Sequence, residues 1–209
     1  MPLGPRVRRL FGPYERGVAE AYRRVFIDLD DLVTRARAWV PEPRRILEVG
    51  CGEGAVTERL ARAYPAAAIT ATDITPAVGR LFRGPAAHVR FIQESVDRVA
   101  ENAPHSFDLV VLSDVLHHVP PARRHALLSA IDQTMAPGGS LIFKDWAPSF
   151  HPIHWLSSFA DRHITGDDVQ FCTKPEMAAL LSEVFGPHSI REEAEVGPWA
   201  NNVAFLVRR

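Results

Sequence analysis

Residues 45–54 read Arg-Ile-Leu-Glu-Val-Gly-Cys-Gly-Glu-Gly. Ile46 to Val49 is a short apolar run holding one carboxylate, and Gly50, Gly52 and Gly54 follow it. A run this short, cut off by glycines, is expected to be a buried strand. Glycine tolerates positive φ and lets the backbone approach a ligand closely. A helix expected from Ala55 to Tyr64, stopped by Pro65, would open on that loop and offer its free N–H groups to a polar ligand. Outward from this segment the alternation repeats. Ala68 to Thr72, His88 to Ile92, Phe107 to Leu112 and Ser140 to Phe143 read as further strands. The Phe107 run is nearly all apolar, as suits a strand buried on both faces. Thr75-Pro76 reads as a helix start, Pro120-Pro121 opens a helix to Met135, and Pro137-Gly138-Gly139 reads as a turn. Strands alternating with helices predict an α/β fold, doubly wound around a mostly parallel sheet.

The two ends read differently. Val18, Tyr22, Val25 and Phe26 share a helical face, as do Leu32, Ala36 and Val40, so Tyr14 to Val40 is expected as one or two helices ended by Pro41 and Pro43. Residues 147–172 are aromatic and His-rich with no strand pattern. Thr173 and Glu176 form a capping-box signature for a helix through Val184. Ser189 to Ala194 and Asn202 to Val207 are expected as a closing antiparallel pair. The expected organisation is an N-terminal helical cap over residues 1–43 and one α/β domain over 44–209, with an insertion at about 147–172.

Composition excludes several classes. The 209 residues are 46% hydrophobic and 23% charged, which is ordinary for a globular protein and excludes fibrous, collagen-like and fully disordered chains. Lys and Arg number 24 against 25 acidic residues, so no basic excess points to nucleic acid. Lys144 and Lys174 are the only lysines, an arginine bias expected of a GC-rich, bacterial genome. Cys51 and Cys172 make no disulfide framework, so a reducing, cytoplasmic setting is expected. No uninterrupted apolar run approaches the ~20 residues that span a bilayer.

Chemistry concentrates at the ends of the expected strands. Asp73 closes the second, where a carboxylate accepts both hydroxyls of a ribose. Gly50-x-Gly52-x-x-Ala55 formally satisfies the dinucleotide fingerprint, which keeps a nicotinamide-dependent oxidoreductase as the alternative. Glu48, two residues before the first glycine, suits a ligand ammonium better than a pyrophosphate.

Taken together, ILEVGCGEG (46–54), ITATDIT (69–75), FDLVVLSDVLHHV (107–119) and APGGSLIF (136–143) resemble the class I S-adenosylmethionine (SAM)-dependent methyltransferases of the small-molecule branch. The resemblance covers roughly residues 44–146. It implies a seven-stranded sheet with a reversed last strand, S-adenosyl-L-methionine as cofactor, and in-line methyl transfer to a small organic acceptor. It implies that the backbone of Gly50, Cys51 and Gly52 approaches the methionine part, that Glu48 orients the ligand ammonium, and that Ser113 offers it a carbonyl. Asp73 would take the ribose and Ile74 would pack on the adenine. Many relatives carry an Asp just after the third strand; here Ser95 stands there, between Glu94 and Val96, and the three would share the adenine side. A SAM-binding protein without transferase activity is a further alternative.

His117 and His118 follow the fourth strand, and histidine can take a proton near neutral pH. In phosphobase methyltransferases a histidine at the offset of His118 from Asp114 pairs with an N-terminal tyrosine, a role open here to Tyr14 or Tyr22. Both histidines also suit capping and packing of the helix that follows. Asp145 and Trp146 end the fifth strand, and His151, His154 and Trp155 follow in a stretch that reads as an acceptor lid. It is expected to close over the cofactor together with residues 1–40. His151 and His154 are three apart, but no cysteine or carboxylate completes a zinc pattern, so no metal is expected. No Asn-Pro-Pro-Tyr-like segment follows the fourth strand, so no nucleic-acid partner is expected.

Overall fold

The computed structural model describes Gly17, residues 27–148, 170–199 and 201–209. Tyr14, Tyr22, His151, His154 and Trp155 lie outside the described residues. Seven strands form one sheet: β1 (Arg45–Val49), β2 (Ala68–Thr72), β3 (Val89–Ile92), β4 (Phe107–Ser113), β5 (Met135–Trp146), β6 (Ile190–Glu195) and β7 (Asn202–Arg208). Their order is β3-β2-β1-β4-β5-β7-β6. β1 to β5 pair in parallel, and β7 runs antiparallel to both β5 and β6. The order reverses between β1 and β4, and in open α/β sheets ligands bind beyond the carboxyl ends of the strands at that switch point.

Side-chain alternation explains the two layers. In β1, Ile46 points into one apolar cluster and Leu47 and Val49 into the other; in β4, Leu109 and Val111 oppose Val110 and Leu112. Helices α1 (Leu29–Trp39) and α2 (Ala55–Ala63) cover the first face. Helices α3 (Val96–Asn102), α4 (Pro121–Thr134) and α5 (Lys174–Phe185) cover the second. Asp28 caps α1 by accepting from Asp30 and Asp31 N–H. Leu29, Leu32, Val33 and Ala36 of α1 are buried, and each Leu or Val contributes roughly 1.5–3 kcal/mol. The expected capping box of α5 is present in both arms, Thr173 accepting from Glu176 N–H and Glu176 from Thr173 N–H.

Three local expectations are corrected. Thr75-Pro76 starts no helix: residues 76–81 form a turn in which Gly79 has φ +66° and donates its N–H to Gly52 C=O at 2.9 Å, while Leu81 donates to Glu53 C=O at 3.0 Å. These N–H groups serve the glycine loop instead of a helical ladder. Pro137-Gly138-Gly139 does not precede the fifth strand but lies within it as a bulge: the β4 register passes from Phe107↔Met135 to Leu109↔Ser140, and Gly138 sits at φ +73°. Val96–Asn102 is a helix, entered from Ser95, in a stretch with no expected element.

Candidate functional site

The loop after β1 is shaped by its backbone. Gly50 and Cys51 donate to Thr72 C=O at 2.8 and 3.0 Å, which folds the loop over the end of β2. Gly50 has φ +75°, and a Cβ there would stand 2.3 Å from Cγ2 of Val115. Only glycine fits both constraints. Gly52, at φ +50°, differs: a Cβ there would meet nothing within 4 Å, so its outer side is open. Asp73 ties the loop to β2, its Oδ2 accepting from Gly52 N–H at 2.7 Å and its Oδ1 from Thr75 N–H at 2.9 Å. Ile74, next along, leaves 75% of its surface exposed. The thiol of Cys51 is buried, and burial, with the charges of Glu48 and Asp73, pushes its pKa up strongly, so it is no nucleophile.

Glu48 lies beneath this loop on the face of β1 that α2 covers. It is 3% exposed, and its Oε2 has no hydrogen-bond partner among the described residues. Burial pushes its carboxyl up to about 7, with Asp73 adding to the shift and Thr57 opposing it. A buried, half-satisfied carboxylate is costly unless a cation or donor meets it.

Beyond β3, Thr72 Oγ1 donates to Glu94 C=O at 2.5 Å. The side chain of Glu94 is exposed. Ser95 stands at the N-cap of α3 but makes no side-chain cap bond, and Val96 is the first, buried residue of that helix.

The ends of β4 and β5 carry paired charges. Asp114 takes φ +58° directly after β4, donates its N–H to Lys144 C=O at 3.0 Å and accepts from Ser113 Oγ at 2.8 Å. Lys144, fully buried, pairs with Asp114 and lies 5.4 Å from the ring centroid of Trp146. One residue on, Asp145 accepts from His117 twice: from Nδ1–H at Oδ1 (2.5 Å) and from the main-chain N–H at Oδ2 (3.2 Å). Burial alone would lower the pKa of His117, but the charge and hydrogen bond of Asp145 outweigh it and raise it. Burial likewise opposes ionisation of Asp145, and His117 overcomes it, so the carboxyl lies below its usual range. With Nδ1 committed to Asp145, Nε2 is the ring atom left to accept a proton.

The two histidines therefore differ. His117 is buried, and its ring stacks on Phe171 at 5.4 Å, whereas His118 is exposed with its ring 4.1 Å from that of His117. Buried Arg124 of α4 donates to Val119 C=O, Gln170 C=O and Cys172 Sγ, and Gln170 N–H donates to His117 C=O at 2.9 Å. Residues 170–172 are thus fastened beside His117. Sequence reading placed Asp145 in the acceptor pocket and missed its bond to His117. The partners stand 28 positions apart, and the signal lay only in two polar residues near the carboxyl ends of adjacent strands, His117 four residues past β4 and Asp145 one before the end of β5. Among the described residues no cluster of His, Cys, Asp and Glu is arranged to hold a metal, and no helix is long and apolar enough to cross a membrane.

A family model described as "Methyltransferase domain" matches residues 20–184. The malonyl-[acyl-carrier protein] O-methyltransferase of Paenibacillus sp. (strain JDR-2) is 35% identical over 120 residues, covering 54% of this chain and 42% of that protein. The ubiquinone biosynthesis O-methyltransferase of Nitrosococcus oceani is 38% identical over 105 residues, covering 48% and 42%. The chain thus spans less than half the length of either relative. Among solved structures, the 1,6-didemethyltoxoflavin-N1-methyltransferase of Burkholderia thailandensis, with bound 1,6-didemethyltoxoflavin and S-adenosylhomocysteine, superposes with a TM-score of 0.68 at 17% identity, covering 97% of this chain and 87% of that one. That likeness is one of fold.

Proposed function

Because the chain belongs to the methyltransferase-domain family, of the class I SAM-dependent kind, we propose that it transfers the methyl group of SAM to a small organic acceptor at the carboxyl edge of its sheet. The observation that carries the reading is the array at the ends of β1 and β2. The outer side of Gly52 is open, Ile74 is exposed beside Asp73, and the buried Oε2 of Glu48 has no hydrogen-bond partner among the described residues. These residues fit SAM: Glu48 meets its ammonium, the Gly50–Gly52 backbone its methionine chain, Asp73 its ribose and Ile74 its adenine. Glu94, Ser95 and Val96 flank the adenine, and the Ser113 carbonyl completes the ammonium site. When bound, SAM supplies a methyl group activated by a sulfonium.

The chain's own residues then deal with the acceptor. The proposed base is His117, which accepts the acceptor's proton at Nε2 while Asp145 holds the tautomer and stabilises the imidazolium. The pairing in the structure favours His117 over His118; a tyrosine partner at Tyr14 or Tyr22 stays part of the proposal. Both curated relatives are named O-methyltransferases, which supports an oxygen as the methylated atom. Trp146, Tyr22, His151, His154 and Trp155 belong to the proposed acceptor side, between residues 1–43 and about 147–172. Since α1 packs into the core, the test of that two-sided site is a chain beginning at Ile27, which keeps the helix and should bind cofactor but lose transfer.

Calorimetry with S-adenosylhomocysteine tests the cofactor assignment. Asp73→Asn keeps an oxygen for Gly52 N–H but loses the charge. It should cost about 1.5–3 kcal/mol, tenfold or more in affinity. Unchanged affinity would remove the assignment, and stabilisation by NAD or NADP alone would favour the oxidoreductase.

A further inference from the structure

β7 begins at Asn202, opposite Trp146 of β5. One step further, Ala147 N–H donates to Asn201 C=O at 2.7 Å, so the main chain of Asn201 is fixed at the edge where Asp145 holds His117. The residue is 5% exposed, and its Nδ2 and Oδ1 are both buried without a hydrogen-bond partner among the described residues. A carboxamide buried with both ends unpaired is destabilising, and native proteins rarely keep one without a reason. The alternation of β7 gives the direction: Val203, Phe205 and Val207 face the cluster that also contains Ala147 and Cys172, and Asn201 continues their parity. That is the side of the sheet on which His117, Asp145 and Phe171 meet. Trp146, Phe171 and Trp199 form an aromatic cluster at the same edge. Glu48 Oε2, buried without a hydrogen-bond partner among the described residues, is assigned above to a ligand ammonium.

We infer that Asn201 reads the methyl acceptor: its carboxamide donates to a carbonyl and accepts from an adjacent O–H or N–H on a planar ring held among the aromatic side chains. The inference rests on the proposed methyl transfer and adds a specificity determinant to it. A flat ring with a paired donor and acceptor satisfies both ends of the amide at once, whereas a purely apolar ring would leave both unpaired.

The test uses the full chain saturated with S-adenosylhomocysteine. Two probes are titrated by calorimetry and by amide NMR: 2-quinolinone, which has adjacent C=O and N–H groups, and 1-methyl-2-quinolinone, which lacks the donor. The wild type should prefer the first by about tenfold, with the Asn201 side-chain amide signals shifting on binding. In Asn201→Leu the preference should vanish while S-adenosylhomocysteine affinity is unchanged. The melting temperature should rise by roughly 2–4 °C, because an unpaired amide is replaced by an apolar side chain of similar size. A preference of steric origin would survive in Asn201→Leu and overturn the inference, as would equal binding of the two probes to the wild type. A fall in melting temperature or failure of the variant to fold would show that the amide is bonded within the protein, and would overturn it too. If the wild type does not bind S-adenosylhomocysteine, the methyl-transfer reading fails first; if it does and the probes are not distinguished, only the role of Asn201 falls.

Discussion

The edge formed by β1 and β2 and the edge formed by β4 and β5 lie side by side, yet they are made of different materials. At β1–β2 the site is backbone: positive-φ glycines, main-chain bonds from Gly50 and Cys51 to Thr72, and a turn whose N–H groups from Gly79 and Leu81 brace the loop. One carboxylate, Asp73, pins it, and another, Glu48, waits beneath it. At β4–β5 the site is side chain: buried Lys144 with partly exposed Asp114, and His117 with Asp145, a pair buried on both sides. The contrast teaches which half tolerates change. Backbone cradles fail by steric exclusion at one atom, whereas buried charge pairs fail by leaving a charge behind.

The largest expected effect comes from Asp145→Ala. It strands His117 in a buried site, and breaking a buried pair typically costs 3–5 kcal/mol. Chemical denaturation should show that loss, and methyl transfer should fall with it. The pH profile of the wild type sharpens the point. The pKa of His117 is raised, so its contribution is complete below about 6.5 and is lost as pH climbs through the raised value. That of Asp145 is lowered, so its contribution is present above the ordinary aspartate value of 3.8 and is lost as pH falls through the lowered one. The melting temperature should therefore carry a His117-dependent decline on the alkaline side that Asp145→Ala lacks. A profile unchanged by the mutation would break the comparison.

Gly50→Ala comes next. The added Cβ meets Val115 in a backbone conformation that disfavours side chains, and strain plus overpacking should cost about 2–4 kcal/mol. Gly50→Ala combined with Val115→Ala should recover part of the loss, which thermal melts can read.

Glu48→Gln should act in the opposite direction. The carboxyl of Glu48 is raised to about 7, so its ionisation weakens the ligand-free fold progressively as pH rises from 4.5 and fully only above 7. Removing it should stabilise the ligand-free protein by about 1–3 kcal/mol at pH 8 while weakening SAM binding. In the wild type, SAM affinity should rise with pH through about 7, and Glu48→Gln should flatten that rise. Calorimetry at three pH values decides both.

The smallest effect on stability belongs to Gly52→Ala. Its Cβ would enter open space, so only the left-handed conformation opposes it, at roughly 1 kcal/mol. Loss of cofactor affinity without loss of fold would separate the two glycines: Gly50 is required by the protein and Gly52 by the ligand.

Much of the fold was legible in the chain because its signals are local. Short apolar runs marked β1, β2 and β4, the first of them stopped by glycines, the capping box marked α5, and the reversed closing pair matched β6 and β7. Where local signals misled, another segment competed for the same groups. Pro76 looked like a helix start, but the N–H groups of its turn are used by the glycine loop. The Pro137-Gly138-Gly139 turn became a bulge because β4 pairs on both sides of it.

The residue sequence by itself determined the half of the site proposed to hold the cofactor, because a glycine loop, its preceding Glu48 and its Asp73 are set by strand ends close along the chain. Only the tertiary structure decided the other half. Pairing of His117 with Asp145, burial of Lys144 against Asp114, and the unpaired amide of Asn201 all depend on which strands end side by side. Residue spacing shows periodicity, but burial and charge pairing arise from neighbours in space, and those are fixed when β5 settles between β4 and β7.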